Sequence, residues 1–280
     1  MGAVAAAGTV TTVTTVEVPT SQGPAQAELT RPGGPEAPSF LLALTHGAGG
    51  TVAAPDLRAA RDAALRLRGA VALITQPYRV RGARAPGSAA RQDEAWQEII
   101  ASLRDGAWLV RDGNVTPGAD LRSADKRHAR DGRPPSPAGK RAAGEAPVPG
   151  RGVPLIVGGR SNGARVACRT AVAVAATGVI ALAFPLRPPV SRRTSRTPRR
   201  GGSAGTSAVA TRDGELRSGA GHGVRVLVVS GDRDPFGIPG PGDAIRVVVL
   251  KGESHALSRN PGAVANAVTD WLSDIVPPVH

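Results

Sequence analysis

Short apolar runs, each bounded by turn-forming or polar residues, recur along the chain and constrain its fold most strongly. Segments with apolar residues at helical spacing, such as 56–68 and 91–103, lie between several of them. A run that is apolar on every side is typical of a parallel strand covered by helices on both faces. We therefore predict an α/β fold with a mostly parallel sheet of about six to eight strands. The runs are 40–45, 70–75, 154–157, 179–184, 224–230 and 244–250, after a Thr/Val alternation at 9–18.

The length of 280 residues and the hydrophobic content of 41% suit one domain of this kind, spanning 1–280. Two stretches, at about 111–151 and 188–222, are poor in apolar residues and rich in Arg, Pro, Gly and Ser. Such segments bury too little surface to offset their ordering entropy, so we predict flexible inserts. Much of the net charge of +13 lies there, and no aromatic residue interleaves the Arg run of the second insert. Nucleic-acid binding is therefore the less favoured interpretation of the charge.

The remaining composition excludes several classes of protein and site. A single cysteine, Cys168, excludes an intramolecular disulfide and a cysteine-based zinc cluster. No phosphate-binding or dinucleotide-binding motif is present, and we expect no cofactor and no metal. The first residues lack the pattern of a signal peptide, and the longest apolar run, 170–186, is short for a membrane span. We expect a soluble, cytoplasmic protein.

A Gly-x-Ser-x-Gly motif occupies residues 159–163, between a predicted strand and a predicted helix. The glycines permit a tight turn that exposes the Ser161 hydroxyl at the start of the helix, as in a nucleophile elbow. An ordinary glycine-rich turn is the alternative.

Two further polar residues follow later strands. Asp234 follows the strand 224–230 and precedes a proline, with Asp232 as its rival, and His255 follows the strand 244–250. In open α/β sheets, ligands bind beyond the carboxyl ends of the strands. The order Ser161, Asp234, His255 is that of α/β-hydrolases. His255 would accept and return the serine proton, while Asp234 would hold the imidazole in its tautomer.

The small-residue loop 46–50 follows the strand 40–45 and offers backbone N–H groups to the same edge. Acyl transfer needs donors where the carbonyl oxygen becomes negative. We predict the N–H groups of Ala48 and Asn162 as these donors.

Three residues near the predicted site are candidate substrate contacts. Tyr78 is expected in the pocket wall, and Arg79 and Arg160 are candidates to bind a substrate carboxylate. The alternative, which the high arginine content of the chain favours, is that Arg160 packs against the elbow and Arg79 is solvated.

As a set, these segments resemble the α/β-hydrolase superfamily. More narrowly, they are similar to the dienelactone-hydrolase-like group that includes testis-expressed protein 30 and NSL-complex subunit 3. The resemblance implies the α/β-hydrolase fold with Ser161 as nucleophile, Asp234 as acid and His255 as base, whereas dienelactone hydrolases proper use cysteine. The segment 237–244 is short and rich in Gly and Pro, so the helix usual between the last two strands is expected to be missing. The matching segments are 44–50, 76–79, 158–165, 184–186, 231–237 and 254–255.

We therefore predict a serine-dependent hydrolase that cleaves a small ester or related acyl substrate through an acyl-enzyme. The alternative is a catalytically silent interaction module of the same fold, in which the Arg-rich inserts recruit acidic partners.

Overall fold

The structure is a computed structural model that describes residues 12–33, 36–105, 153–188 and 211–276. The first predicted insert, at about 111–151, lies outside these ranges. Of the second predicted insert, residues 189–210 also lie outside them.

Eight strands form one sheet in the order β1-β2-β4-β3-β5-β6-β7-β8. The strand β2 is antiparallel to both of its neighbours, and all pairings from β4 to β8 across the sheet are parallel. The predicted fold class is therefore confirmed. The strands are β1 (Thr12–Val18), β2 (Ala25–Arg31), β3 (Leu41–Thr45), β4 (Ala70–Thr75), β5 (Leu155–Arg160), β6 (Gly178–Leu182), β7 (Arg225–Gly231) and β8 (Ile245–Leu250).

Helices cover both faces of the sheet, as its fully apolar strands require. The helices α1 and α6 pack on one face, and α3, α4 and α5 pack on the other. Both α1 and α6 begin with proline, whose missing N–H costs nothing in a first turn. The helices are α1 (Pro55–Arg66), α2 (Pro77–Val80), α3 (Ala89–Arg104), α4 (Asn162–Thr170), α5 (Asp213–Arg217) and α6 (Pro261–Ile275).

Alternation along the strands divides the core into two layers. In β3, Leu42 and Leu44 face α1 and α6, while Leu41 and Ala43 face α3 and α4. Trp96 of α3 is 1% exposed and anchors the second layer, as its helical spacing predicts. Both layers are built mainly from Ala, Val and Leu because the chain contains few aromatic residues.

Residues 211–222 differ from the sequence prediction, which placed them in the second insert. They form α5 and a 3-10 turn at Ala220–His222. Leu216 is buried against the α3–α4 layer, and Glu215 pairs with Arg165 of α4 at 2.6 Å. One buried leucine and one paired carboxylate are enough to hold this helix against the domain. The low apolar content of residues 211–222 therefore does not indicate a flexible insert.

The connection from β7 to β8 is short, as predicted. Residues 232–244, all of which the structure describes, contain turns and no helix. Because β5, β7 and β8 are parallel, the loops that follow them lie at the same edge of the sheet. Only a short connection links the last two strands. None of the helices in the described ranges combines the length and apolar character needed to cross a bilayer.

The burial of Trp96 gives a stability prediction. Trp96→Ala is expected to lower the free energy of unfolding by about 3–5 kcal/mol, because it leaves a large cavity between α3 and the sheet. Trp96→Phe is expected to cost less, since the indole N–H has no hydrogen-bond partner among the described residues and no such bond is lost. Urea unfolding measures both changes.

Val13→Ala is the control, because Val13 is 57% exposed on the edge strand. Its effect is expected to stay within about 0.5 kcal/mol. Equal costs for the alanine variants at positions 13 and 96 would contradict the described packing.

Candidate active site

The turn between β5 and α4 holds Ser161 in a strained backbone conformation. Its φ is 53° and its ψ is −112°, a region that non-glycine residues rarely occupy. The neighbouring glycines explain why the turn is so tight. A Cβ atom on either Gly159 or Gly163 would lie 2.6 Å from the carbonyl oxygen of Thr45. Only glycine at both positions lets the turn approach the end of β3 this closely, and the strain raises the Ser161 side chain out of the turn.

Three side chains from the loops after β5, β7 and β8 meet at this edge of the sheet. His255 Nε2 lies 2.9 Å from Ser161 Oγ, and His255 Nδ1 lies 2.8 Å from Asp234 Oδ2. The structure thus brings together the three residues that the sequence singled out. The rival carboxylate, Asp232, is exposed and accepts a hydrogen bond from the Gly252 N–H at 2.8 Å, so it is engaged elsewhere.

The surroundings of Asp234 fix the orientation of the imidazole. The Asp234 side chain is completely buried, and its Oδ1 accepts a hydrogen bond from the Phe236 N–H at 2.9 Å. A carboxylate that accepts at Oδ2 requires a proton on His255 Nδ1, which leaves Nε2 as the acceptor for the Ser161 hydroxyl. The Phe236 ring packs edge-on against the imidazole, with centroids 4.6 Å apart. Contacts at both ring nitrogens and with the Phe236 ring therefore fix the orientation of the His255 side chain.

The loop after β3 passes directly beside the Ser161 turn. A Cβ atom on Gly47 would lie 3.2 Å from Ser161 Cβ. Neither the Ala48 N–H nor the Asn162 N–H donates a hydrogen bond to another residue in the described ranges. Both predicted backbone donors are therefore available, one in the loop and one at the start of α4.

His46 holds this loop in place, a role that the sequence did not reveal. Its Nε2 accepts a hydrogen bond from the Gln76 N–H at 3.1 Å, so its proton is on Nδ1, which donates to the Gly47 carbonyl at 2.8 Å. The side chain is fully buried, and this burial lowers the pKa of His46. A neutral imidazole satisfies both contacts. The only signal in the sequence is a histidine at the junction of a strand and a glycine-rich loop.

Tyr78 supports the same loop from the other side. Its hydroxyl donates to the Ala48 carbonyl at 3.0 Å, and its ring lies edge-on to that of His46 at 5.8 Å. Burial raises the pKa of Tyr78 to about 12, so the hydroxyl stays a donor. Tyr78 also lines a cavity of about 80 Å³ that Gln92 and Arg91 border. The expected position in a pocket wall is consistent with this cavity.

The two predicted arginine contacts have different surroundings. The Arg160 guanidinium pairs with Asp56, with Nε and Oδ2 3.1 Å apart, and its Nη2 donates to the His255 carbonyl at 2.8 Å. These contacts favour the alternative in which Arg160 packs against the elbow. Arg79 lies half-buried on α2, and its one described side-chain hydrogen bond is a long contact of 3.4 Å to the Ala83 carbonyl.

Gln92 is a second residue that the sequence analysis missed. Its Oε1 accepts a hydrogen bond from Asn162 Nδ2 at 2.6 Å, while its Nε2 donates to the Gly87 carbonyl at 2.9 Å. Gln92 thereby ties the residue after Ser161 to the start of α3. A glutamine on the polar side of a predicted helix carries no signal for such a role.

The packing of the elbow predicts unequal losses of stability for two Gly→Ala changes. Gly163→Ala is expected to lower the free energy of unfolding by about 1–3 kcal/mol, because the new methyl group overlaps backbone oxygens of the β3 end. Gly49→Ala is the matched control, since a Cβ atom there meets nothing within 4 Å. Its effect is expected to stay within about 0.5 kcal/mol. Urea midpoints measure both, and equal effects would contradict the described elbow.

The buried His46 predicts that the free energy of unfolding falls in mild acid. Its folded pKa lies below the ordinary value of 6.5, so the folded chain resists a proton that the unfolded chain accepts. The stabilisation is fully present above 6.5 and is lost as the pH falls from there toward the folded pKa. The wild type is therefore expected to lose more stability than His46→Gln between about pH 7.5 and about pH 5.5.

The measurement is the urea midpoint of each protein at the two pH values. His222→Gln, which changes an exposed histidine, is the control and is expected to follow the wild type. The raised pKa of Asp56 acts with the opposite sign, but it is common to all three proteins and cancels in the comparison. Equal losses in the wild type and His46→Gln would show that His46 does not titrate as described.

Comparisons with known proteins support the fold. A family model described as an alpha/beta hydrolase domain matches residues 136–201, a minority of the chain that includes the Ser161 turn. The comparison with curated protein sequences finds no match. An α/β serine hydrolase without a lid from Xanthomonas campestris is 15% identical, with a TM-score of 0.57 over 96% of this chain and 97% of that chain.

Two further solved structures have the same architecture. A dienelactone hydrolase from Anabaena variabilis is 15% identical, with a TM-score of 0.56 over 95% of this chain and 99% of that chain. An esterase from Pyrobaculum calidifontis is 15% identical, with a TM-score of 0.54 over 95% of this chain and 86% of that chain. None of these three is testis-expressed protein 30 or NSL-complex subunit 3, so the narrower resemblance stays a prediction. Together with the sheet order, these similarities show that the chain has the α/β-hydrolase fold.

Proposed function

We propose that this protein is a serine hydrolase that cleaves a small ester or related acyl substrate through an acyl-enzyme. The observation that carries the proposal is the continuous chain of contacts from Ser161 Oγ to His255 Nε2 and from His255 Nδ1 to Asp234 Oδ2, at 2.9 and 2.8 Å. A nucleophile, a base within hydrogen-bond reach and a group that orients the base are the three parts that acyl transfer needs.

The first half of the reaction forms the acyl-enzyme. Ser161 Oγ attacks the carbonyl carbon of the substrate while its proton passes to His255 Nε2. The resulting imidazolium is stabilised by the Asp234 carboxylate, which itself stays ionised. The carbon–oxygen bond to the leaving group then breaks, and the imidazolium returns its proton to the departing alcohol.

The second half repeats these steps with water. His255 takes a proton from a water molecule, and the hydroxide attacks the acyl carbon. The bond to Ser161 Oγ breaks, the serine recovers its proton from the imidazolium, and the acid leaves. Throughout, negative charge develops on the former carbonyl oxygen. We assign its stabilisation to the N–H groups of Ala48 and Asn162, which have no competing acceptor among the described residues.

The neighbourhood of the elbow supports a small substrate. The cavity that Tyr78 lines is about 80 Å³, well below the volume of a typical site for a drug-sized ligand. Gln92 borders this cavity and is bonded to Asn162, next to Ser161. We propose that part of the substrate occupies this cavity, which Arg81 and Arg91 also line. The similar solved structures include an esterase and a dienelactone hydrolase, which agrees with this reaction class.

The assembled contacts also favour an enzyme over a catalytically silent module. A silent fold has no need to hold a serine in strained geometry against a histidine that is oriented by a buried carboxylate. The strained backbone of Ser161 and the burial of Asp234 both cost stability, and both serve to position the groups that acyl transfer needs.

The test is covalent labelling with a fluorophosphonate, followed by intact mass, together with hydrolysis of p-nitrophenyl acetate. We expect one adduct per chain and measurable turnover in the wild type, and neither in Ser161→Ala. Asp234→Asn is expected to lower kcat by about 10⁴-fold, because the imidazole loses the partner that sets its tautomer.

Ser254→Ala is the matched control. This exposed serine is adjacent to His255, and within the described residues its Oγ makes one long contact of 3.4 Å, with the Ala256 N–H. It is expected to keep both labelling and turnover. An adduct that persists in Ser161→Ala, or a folded wild type that is neither labelled nor active, would reject the proposed hydrolase.

A further inference from the structure

We propose that Asp56 and Arg160 form a positioning pair that holds the His255 backbone against the nucleophile elbow. The inference rests on the proposed function, since it concerns how the base of that reaction is kept in place. Neither residue is placed in contact with the substrate, and both act through His255.

Arg160 links the elbow directly to the loop that carries the base. Its backbone precedes Ser161, while its Nη2 donates to the His255 carbonyl at 2.8 Å. The same guanidinium lies against the loop after β3, because a Cβ atom on Gly47 would meet Arg160 Nη1 at 3.4 Å. The Arg160 side chain therefore starts from the end of β5, contacts the loop after β8 and lies against the loop after β3.

The His255 loop needs such an anchor. It follows β8, which is an edge strand, and no helix lies between β7 and β8 to support it. On one side of His255 the loop is held by the Glu253 carbonyl, which accepts from the Arg233 N–H at 3.0 Å. On the other side Leu257 is buried in the core. Asp234 fixes the rotation of the imidazole but not the height of its backbone above Ser161. The contact from Arg160 supplies that missing constraint at His255 itself.

Asp56 holds the guanidinium in place. Its carboxylate, at the start of α1, is completely buried, and its Oδ1 accepts a hydrogen bond from the Leu57 N–H at 2.9 Å. Its Oδ2 lies 3.1 Å from Arg160 Nε but is not aligned for a hydrogen bond, so the contact is an ion pair. Burial raises the pKa of Asp56 to about 6, while Arg160 acts to lower it. A carboxylate buried at this cost, with the Arg160 guanidinium as its counter-charge, is well suited to orient that guanidinium.

The principal variant is Arg160→Met, which retains most of the apolar stem and removes both the charge that pairs with Asp56 and the Nη2 donor to His255. We expect kcat for p-nitrophenyl acetate to fall by about 10²-fold with little change in KM, because the base is misplaced while the substrate site is intact. Arg165→Met is the matched control, since Arg165 is similarly buried but its guanidinium is bound by Glu215 of α5 and not by the His255 loop. It is expected to keep the wild-type kcat.

A second readout does not depend on turnover. In the wild type, ¹H NMR is expected to show a low-field resonance for the His255 Nδ1 proton, assigned by its loss in His255→Gln. In Arg160→Met this resonance is expected to broaden or shift, because His255 then samples several positions. In Arg165→Met it is expected to stay as in the wild type. Thermal unfolding of each variant separates these effects from loss of fold.

Two further variants test the coupling. Arg160→Lys is expected to recover part of kcat, because the ammonium still pairs with Asp56 but lacks the planar fork that reaches the His255 carbonyl as well. Asp56→Asn is expected to lower kcat, and the double variant Asp56→Asn/Arg160→Met is expected to be no worse than Arg160→Met alone. If Arg160→Met does not fold, the Lys and Asn variants carry the same test.

The outcomes distinguish this inference from the proposed function. A wild type without Ser161-dependent labelling rejects the hydrolase, and the NMR comparison then still decides whether Arg160 positions His255. An active wild type whose kcat and His255 resonance both survive in Arg160→Met overturns the positioning pair. Loss of kcat with an unchanged resonance also overturns it, because Arg160 would then act by another route.

Discussion

The close packing of the Ser161 turn on the end of β3 is the contact on which the rest of the site depends. Gly159 and Gly163 allow the turn to lie against the backbone oxygen of Thr45, at a distance that no side chain would tolerate. This approach brings the loop after β3 beside Ser161 and places the first N–H of α4 at the same point. A displacement of the turn would therefore move the proposed nucleophile, Ser161, and both proposed oxyanion donors at once.

Around this contact, polar side chains hold the neighbouring loops. His46 stays neutral and ties the loop to Gln76 just after β4, Tyr78 holds the Ala48 carbonyl, and Gln92 ties Asn162 to α3. Each side chain has a specific partner, as the burial of His46 and Tyr78 requires. These contacts hold the two proposed backbone donors in a fixed position, and such preorganisation is what makes electrostatic stabilisation of an oxyanion effective.

The side of the site formed by β7 and β8 contains fewer supporting elements. The connection between these strands is short, and β8 lies at the edge of the sheet. Asp234 is nevertheless fully buried, and its two oxygens are occupied by the Phe236 N–H and by His255. The proposed pair of Asp56 and Arg160 extends this support across the sheet to α1. In this arrangement a residue of α1 also contributes to the position of the imidazole.

The sequence by itself determined the fold class and pointed to Ser161 and His255, together with either Asp234 or Asp232, at one edge of the sheet. Apolar runs and glycine-rich turns are local patterns, and the carboxyl ends of parallel strands necessarily meet at one edge. Only the tertiary structure decided between Asp234 and Asp232. It alone also revealed the surroundings of Arg160 and the contacts of His46, Gln92 and Asp56. These roles depend on contacts between residues far apart in the chain, such as Arg160 and His255. Neither the spacing nor the composition of a sequence shows which polar groups come within hydrogen-bond distance of each other.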